Sequence, residues 1–412
     1  MCDRLAFCIL SARLNGGSGS SLANIVASRR ESMQVRIHCG KLGDPGVGSL
    51  LRRFLLIPPI LLVFGVSAVG RTQAPHASRP QPQLSPDSTV GLPAPANPSK
   101  ADPELEQAWS LLQQGLVTEA EKSARRYLEK HTDSPDGHFF LGYILFREIQ
   151  GKASSEARSG DDSRYSVSMS DATFVQTKAK ASLAEYTEGA KYHDPSAFDL
   201  EVVALDYILL GDFQDADKWL TLAVQLSPED SQAWYHLGRT KYSENQFDMA
   251  ISAFSQCLKL DPKNVKAEDN LALSFEGLGR VDDALATYRT AIEWEEQAPN
   301  KNSGPYIDFG SFLIDQNRPE EAVRYLVVAT DISPQDARAH EKLGKAYSQL
   351  DQLAKAQVEL ERAVRLAPNI ASLHYVLGQV YRREGLKEKA KAELDRVAEL
   401  NGTHSTPETP IP

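Results

Sequence analysis

The feature that most restricts the fold of this chain is a motif that recurs every 34 residues across its C-terminal half. Six copies begin at Ala197, Ser231, Val265, Ser303, Ala337 and Ala371. Successive starts are 34 residues apart, except for one interval of 38. A period of this length predicts stacked supersecondary units, each of which buries its apolar face against the next. The chain is therefore expected to form a solenoid, not a domain around a single core.

Small and large residues alternate at fixed places of the motif, where a place is a position counted from the start of a copy. Place eight is glycine or alanine and place twenty is alanine in all six copies. Place twenty-four is large and apolar, and is held by Leu220, Phe254, Tyr288, Leu326, Leu360 and Leu394. This pattern predicts two helices per copy that approach closely at the small residues while the large one fills the space between them.

One copy, residues 231–264, carries the complete pattern of a known repeat. Its places four, seven, eight, twenty, twenty-four and thirty-two are Trp234, Leu237, Gly238, Ala250, Phe254 and Pro262. This order resembles the tetratricopeptide repeat, W-x2-L-G…A-x3-F…P. The resemblance implies an all-α, right-handed superhelical solenoid of helix-turn-helix repeats that binds other proteins, with Trp234 buried between helices.

The chain divides into segments of different composition. The repeats are assigned to 197–230, 231–264, 265–302, 303–336, 337–370 and 371–400. Residues 103–196 resemble two degenerate repeats, with a Ser-, Gly- and Asp-rich insertion at 151–171 that is expected to be a surface loop. The proline-rich linker 75–102 and the tail 401–412 hold too little apolar bulk to fold and are expected to be disordered.

The N-terminal region has the composition of an export signal. Arg52 and Arg53 precede an apolar run from Phe54 to Val66, and small residues follow as far as Gly70. This order is typical of a secretory signal peptide, assigned to 33–74. Residues 1–32 are then interpreted as an extension upstream of the true start.

The expected protein is thus of an exported bacterial type, located in the periplasm. The alternative is an uncleaved inner-membrane anchor formed by residues 54–70, although the run is shorter than the roughly 20 residues that span a bilayer comfortably.

Charge argues against nucleic acid as a partner. Residues 1–100 hold 11 Lys or Arg and 4 Asp or Glu, which leaves 34 and 51 of the totals of 45 and 55 for the remainder. Phosphate backbones are bound by lysine and arginine, so an acidic body is a poor partner for them. Contact with a membrane is expected only through the signal or anchor.

The sequence shows no spacing typical of a catalytic, metal or cofactor site. It contains no His-Glu-x-x-His, paired Cys-x-x-Cys, Gly-x-Ser-x-Gly or Walker-type loop. His236, His340 and His374 recur early in first helices but lie one or more repeats apart, which predicts packing roles. The chain is therefore predicted to be non-enzymatic, without cofactor or metal.

The first helices are expected to line a concave groove with places two, five, nine and twelve. The groove residues predicted to hold a partner are Tyr235, Arg239, Tyr242, Lys266, Asp269, Glu276, Lys345, Tyr375 and Arg382. Tyrosine and arginine are frequent anchors of interfaces, and an extended peptide or a partner helix suits such a groove.

Two charged residues replace apolar ones in the repeat pattern, Lys241 at place eleven and Glu268 at place four of the next copy. A lone buried charge costs several kcal/mol, so the two are predicted to meet between neighbouring first helices. The alternative is that Lys241 keeps its charge in water.

Two functions stay open, because a repeat scaffold does not fix a function. One is a scaffold that binds other proteins or peptides in the groove. The other is a non-catalytic subunit of an envelope assembly or polysaccharide-export machine.

Overall fold

The computed structural model describes residues 102–158 and 169–402. The predicted extension, signal peptide and linker up to residue 101, and the tail beyond residue 402, lie outside the described residues. Of the chain's two compact units, Met1–Gln83 therefore has no described residue, and the fold reported below belongs to Leu84–Pro412.

The described residues form sixteen α-helices and no strand. A 3-10 turn at Pro103–Leu105 leads into two hairpins, α1 (Glu106–Gln113) with α2 (Val117–Leu128) and α3 (Pro135–Arg158) with α4 (Met169–Gly189). Six further hairpins follow: α5 (Ala197–Leu209) and α6 (Phe213–Leu226), α7 (Ser231–Ser243) and α8 (Phe247–Leu260), α9 (Val265–Gly277) and α10 (Val281–Gln297), α11 (Gly304–Asp315) and α12 (Pro319–Ile332), α13 (Ala337–Gln349) and α14 (Leu353–Leu366), α15 (Ala371–Arg383) and α16 (Lys387–Leu400). The fold is an all-α helical repeat solenoid.

The insertion in the second hairpin is more helical than the sequence predicted. α3 continues through Arg158 and α4 begins at Met169, whereas a loop was predicted over 151–171. The stretch 152–158, Lys-Ala-Ser-Ser-Glu-Ala-Arg, contains four residue types with high helix propensity. Its two serines, and the serines and aspartates that follow, are typical of loops, so the sequence predicted a loop despite this helix propensity.

The turn inside each hairpin requires one residue with a left-handed backbone. Place fifteen supplies it in all six repeats: Gly211, Asn245, Gly279, Asn317, Asp351 and Gly385 have φ between 55° and 80°. Glycine, asparagine and aspartate are the residues that adopt this conformation most readily. The chain can therefore reverse direction in three residues, which places the two helices side by side.

In three of the repeats, the small residue at place eight packs tightly against the large residue at place twenty-four. A Cβ added to Gly238 would lie 2.6 Å from the ring of Phe254, which is fully buried. Gly310 faces Leu326 in the same way, at 2.5 Å. The packing of small against large residues predicted from the sequence is confirmed at these places.

In several first helices, the side chain at place four has a ring nitrogen that contacts a backbone carbonyl oxygen of the preceding turn. Three histidines contact the carbonyl oxygen six residues earlier and a glutamate of the second helix: His138 (Thr132 O, 3.1 Å; Glu185 Oε2, 2.7 Å), His340 (Pro334 O, 3.1 Å; Glu359 Oε2, 2.7 Å) and His374 (Pro368 O, 2.9 Å; Glu393 Oε2, 2.6 Å). The packing roles predicted for His340 and His374 are confirmed. Their partners could not be read from the sequence, because the contacts join residues 6 and 19 positions apart.

Trp234 holds the same place but is not buried between helices, so that expectation is wrong. The side chain is half-buried, and its Nε1 donates a hydrogen bond to the carbonyl oxygen of Pro228 at 3.0 Å. The indole lies against the preceding turn, as the histidine rings do.

None of the described helices is long and apolar enough to cross a bilayer.

Candidate partner-binding groove

The first helices form the inner side of the stack. Most successive pairs of first helices contact each other: α3 with α5, α7 with α9, α9 with α11, α11 with α13 and α13 with α15. Second helices of successive hairpins show no comparable contact in the described ranges. Helices on the inside of a curved stack lie closer together than those outside, so the first helices line the concave groove.

Only one stripe of each first helix remains open to this groove. On α11, for example, nearly every residue is buried except Asp308, Ser311 and Asp315, which follow one another at helical spacing. The corresponding residues define the groove stripe: Gln232, Arg239 and Tyr242 on α7; Lys266, Asn270, Leu273 and Glu276 on α9; Asp308, Ser311 and Asp315 on α11; Arg338, Lys342 and Lys345 on α13; Tyr375, Gln379 and Arg382 on α15.

Seven of the nine predicted site residues lie on the groove stripe: Arg239, Tyr242, Lys266, Glu276, Lys345, Tyr375 and Arg382. The other two, Tyr235 and Asp269, lie beneath it at place five and are only 7% and 6% exposed. Place five points at the following first helix, so it is covered where another hairpin stacks on it. Tyr375 holds the same place in the last repeat, where no further first helix follows in the described residues, and it stays exposed. Place six reaches the groove instead, at Asn270, Asp308 and Lys342, which sequence reasoning missed. These three residues are polar or charged, and this polarity at place six was the signal in the sequence that could have identified them as groove residues.

Several predicted site residues are held by contacts within the chain. The Arg239 guanidinium lies over the Tyr235 ring at 6.0 Å from the centroid, and Glu276 Oε2 accepts a hydrogen bond from the Tyr288 hydroxyl at 2.9 Å. Lys345 pairs with Glu341 one turn earlier. Tyr375 differs from these, because half of its side chain is exposed (51%).

Lys241 does not meet Glu268, so that prediction is wrong. Its ammonium lies 2.7 Å from Asp217 Oδ1 on α6 and 3.1 Å from Gln246 Oε1. Place eleven thus faces the second helix of the preceding hairpin, and the charge is paired instead of exposed to water. Glu268 is buried elsewhere, and this burial raises the pKa of its carboxyl to about 7.

The Lys241–Asp217 contact makes a testable prediction. In a double-mutant cycle with Lys241→Met and Asp217→Asn, we expect a coupling free energy of about 1 kcal/mol, the upper end for a pair that is not fully buried. A second cycle with Lys241→Met and Glu268→Gln should give coupling below about 0.3 kcal/mol. Urea unfolding of the variants measures both, and the reverse ranking would contradict the geometry.

A buried carboxyl lies beneath the N-terminal part of the groove. Glu201 on α5 is fully buried, its two oxygens have no hydrogen-bond partner, and Oε1 lies 3.6 Å from His236 Nε2. Burial raises the pKa of Glu201 to about 8 and, together with the charges of Arg239 and Lys266, lowers the pKa of His236 to about 3. At neutral pH a protonated carboxyl therefore faces a neutral imidazole, and the contact is not an ion pair.

The described part of the chain contains no group of three or more His, Cys, Asp or Glu side chains arranged to hold a metal ion.

Comparison with known families identifies the hairpins. Four models of the tetratricopeptide repeat match residues 105–158, 231–264, 313–373 and 371–404. The helices within these matched residues form tetratricopeptide repeats. The matches include the degenerate first hairpin, whose resemblance to the repeat the sequence also predicted.

The similar proteins include receptors. The peroxisomal targeting signal receptor of Komagataella phaffii is 26% identical over 198 residues, which cover 44% of this chain and 34% of the receptor. The human PEX5-related protein is 31% identical over 114 residues, or 28% of this chain and 17% of that protein. The chain thus spans about a third or less of the length of these two relatives.

Two solved structures are also similar to this chain. Yeast Tom70 has a TM-score of 0.49 and 16% identity, with 77% of this chain and 63% of Tom70 covered. YrrB, described as a TPR protein with an unusual peptide-binding site, has a TM-score of 0.37 and 20% identity, with 45% of this chain and 93% of YrrB covered.

Proposed function

We propose that this chain is a non-enzymatic protein-interaction scaffold that binds an extended peptide or a partner helix along its groove stripe. The observation that supports this most directly is the stripe itself. Polar, charged and aromatic side chains stay accessible on helices that are otherwise packed on all sides. A row of such side chains on a curved, rigid surface suits recognition of an extended segment.

The partners proposed are other proteins or peptides, not nucleic acid, because the chain beyond residue 100 carries 51 acidic against 34 basic side chains. The Komagataella phaffii relative is by name a targeting signal receptor, which agrees with a role in recognition.

The proposed location is the bacterial periplasm, with an inner-membrane anchor at residues 54–70 as the alternative. Support comes from the composition of that region alone, which lies outside the described residues.

Site-specific photocrosslinking in living cells tests the scaffold function. A benzophenone amino acid replaces Tyr375, which is 51% exposed in the groove, or Val358, which is 60% exposed on the second helix α14. We expect protein adducts at position 375 and few at position 358, because only the first lies on the groove stripe.

The composition of the adducts separates the two functions left open. A single partner recovered in fixed ratio in a stable complex would favour the envelope-machine subunit. Several partners captured transiently through extended segments would favour the scaffold. Equal labelling from both positions, or none from position 375, would contradict binding in the groove.

A further inference from the structure

Two carboxyl groups from neighbouring repeats meet at the centre of the groove. Asp269 on α9 is 6% exposed, whereas Asp308 on α11 is half-buried and belongs to the groove stripe. The two helices contact each other, and the carboxyl of Asp308 lies close enough to raise the pKa of Asp269. Two ionised carboxylates so close together repel each other, so uptake of a proton by one of them is favoured.

This pair is incompletely satisfied inside the protein. Asp269 Oδ1 is buried and has no hydrogen-bond partner, and no salt bridge joins either carboxyl to a lysine or arginine of the described residues. Burial raises the pKa of both groups, and the neighbouring carboxylates raise that of Asp269 further. The pair is therefore expected to hold one proton in common, because two like charges in this position repel each other.

Acidic side chains lie near Asp269, and basic side chains lie near Asp308. Glu276 and Glu295 raise the pKa of Asp269, whereas Arg338 and Lys342 on α13 lower that of Asp308. The Arg338 guanidinium is itself held by Asp336 at 3.0 Å. The region around Asp269 and Asp308 can thus take up one cation, but the basic side chains of α13 oppose a second cation one repeat further on.

Packing of the repeats does not require acids at these positions. Asp269 is place five of its repeat and Asp308 is place six of the next. The same places in the following pair of repeats hold Ile307 and Lys342. A buried, unsatisfied pair of carboxyl groups weakens a fold, so its presence in the groove points to a ligand that satisfies it.

We propose that the Asp269–Asp308 pair is the subsite of the groove that receives a basic side chain, foremost an arginine guanidinium, of the bound segment. This inference rests on the proposed function. The guanidinium donates hydrogen bonds to both carboxylates, including Asp269 Oδ1, and the shared proton leaves to solvent. The guanidinium enters past Asp308, whose half-buried side chain is partly exposed to the groove.

The probe is a library of random peptides about twelve residues long, long enough to cross about three first helices at an axis spacing of 8–10 Å. The full chain selects peptides from this library in parallel with Asp269→Asn/Asp308→Asn and with the control Asp282→Asn, an exposed residue of the second helix α10. Asparagine has nearly the same shape as aspartate but carries no charge, so the double variant loses the repulsion between the two carboxylates. It is therefore expected to fold, which circular dichroism checks.

We expect peptides enriched by the wild type and by the control to share a basic residue at one position, and peptides enriched by the double variant to lack it. Changing that residue to glutamine should weaken binding to the wild type roughly tenfold, which is about 1.4 kcal/mol, and leave binding to the double variant unchanged. Wild-type affinity for the basic peptide should also fall from pH 8 to pH 5, because protons compete with the cation.

Other outcomes overturn the inference in distinguishable ways. Enrichment of peptides without a shared basic residue, or a basic preference that survives in the double variant, would refute the subsite but leave peptide binding in the groove intact. If no peptide is enriched, both the subsite and peptide binding would be refuted, while the crosslinking experiment would still decide whether the groove binds a folded partner.

Discussion

Replacing Gly238 by alanine is expected to destabilise the repeat 231–264 by about 2–3 kcal/mol, within the range of overpacked cores. The added methyl group would lie 2.6, 2.7 and 2.9 Å from three ring atoms of Phe254. That ring is rigid, fully buried and 6.0 Å from the Tyr235 ring, so it cannot move away without displacing its neighbours. Hydrogen exchange of the α7 and α8 amides would measure the loss, since repeats open in part independently of one another.

Gly378→Ala is the matched control for this substitution. Gly378 holds the same place eight in the last repeat, but there an added methyl group would come no closer than 3.4 Å to Glu393 Cβ. Alanine favours a helix over glycine by about 1 kcal/mol, so this variant should be neutral or slightly more stable. Equal destabilisation by both substitutions would mean that the cost arises from the helix backbone and not from the contact with Phe254.

The repeat architecture could be predicted from the sequence because its determinants are local and periodic. Small residues such as Gly238 and Ala250 and large ones such as Phe254 recur at fixed places, and the turn at place fifteen needs a residue that accepts positive φ. Each of these requirements is met within a single repeat. The length of α3 was harder to predict, because helix propensity and a loop-like composition compete within the same few residues.

The groove could be predicted only in part, because its fine geometry depends on the angle between neighbouring repeats. The sequence identified the first helices and seven of the nine site residues on the groove stripe. It did not show that place five is covered and place six open, as at Asp269 and Asp308, since this depends on how far one first helix turns against the next. The partner of Lys241 was missed for the same reason, because Asp217 lies on a second helix and 24 positions away.

Glu201 shows how the stack affects the ionisation of a side chain. Its carboxyl is fully buried between neighbouring first helices and no hydrogen bond compensates for the loss of water, so the pKa rises to about 8. In the unfolded chain the pKa is the ordinary value of about 4.5. Between these values the folded protein keeps a proton that the unfolded chain releases, so folding takes up a proton. The resulting stability is complete below about pH 4.5 and is lost as the pH rises to about 8.

Glu201→Gln removes this titration while it keeps the shape of the side chain. We expect the variant to match the wild type at pH 4.5 and to exceed its stability by about 4 kcal/mol at pH 8, because the pKa shift from about 4.5 to about 8 corresponds to 1.36 kcal/mol for each pH unit. Unfolding by urea, with hydrogen exchange of α5 and α7, measures the difference at each pH. The control Glu229→Gln, at an exposed position of the following turn, should change the stability at neither pH.

Parallel pH profiles for the wild type and Glu201→Gln would contradict this prediction. They would show that Glu201 is ionised in the folded protein and that His236, 3.6 Å away, carries the compensating positive charge. A residual decline with pH is expected in either protein, because burial raises the pKa of Glu268 to about 7 and that of Asp206 well above its usual range.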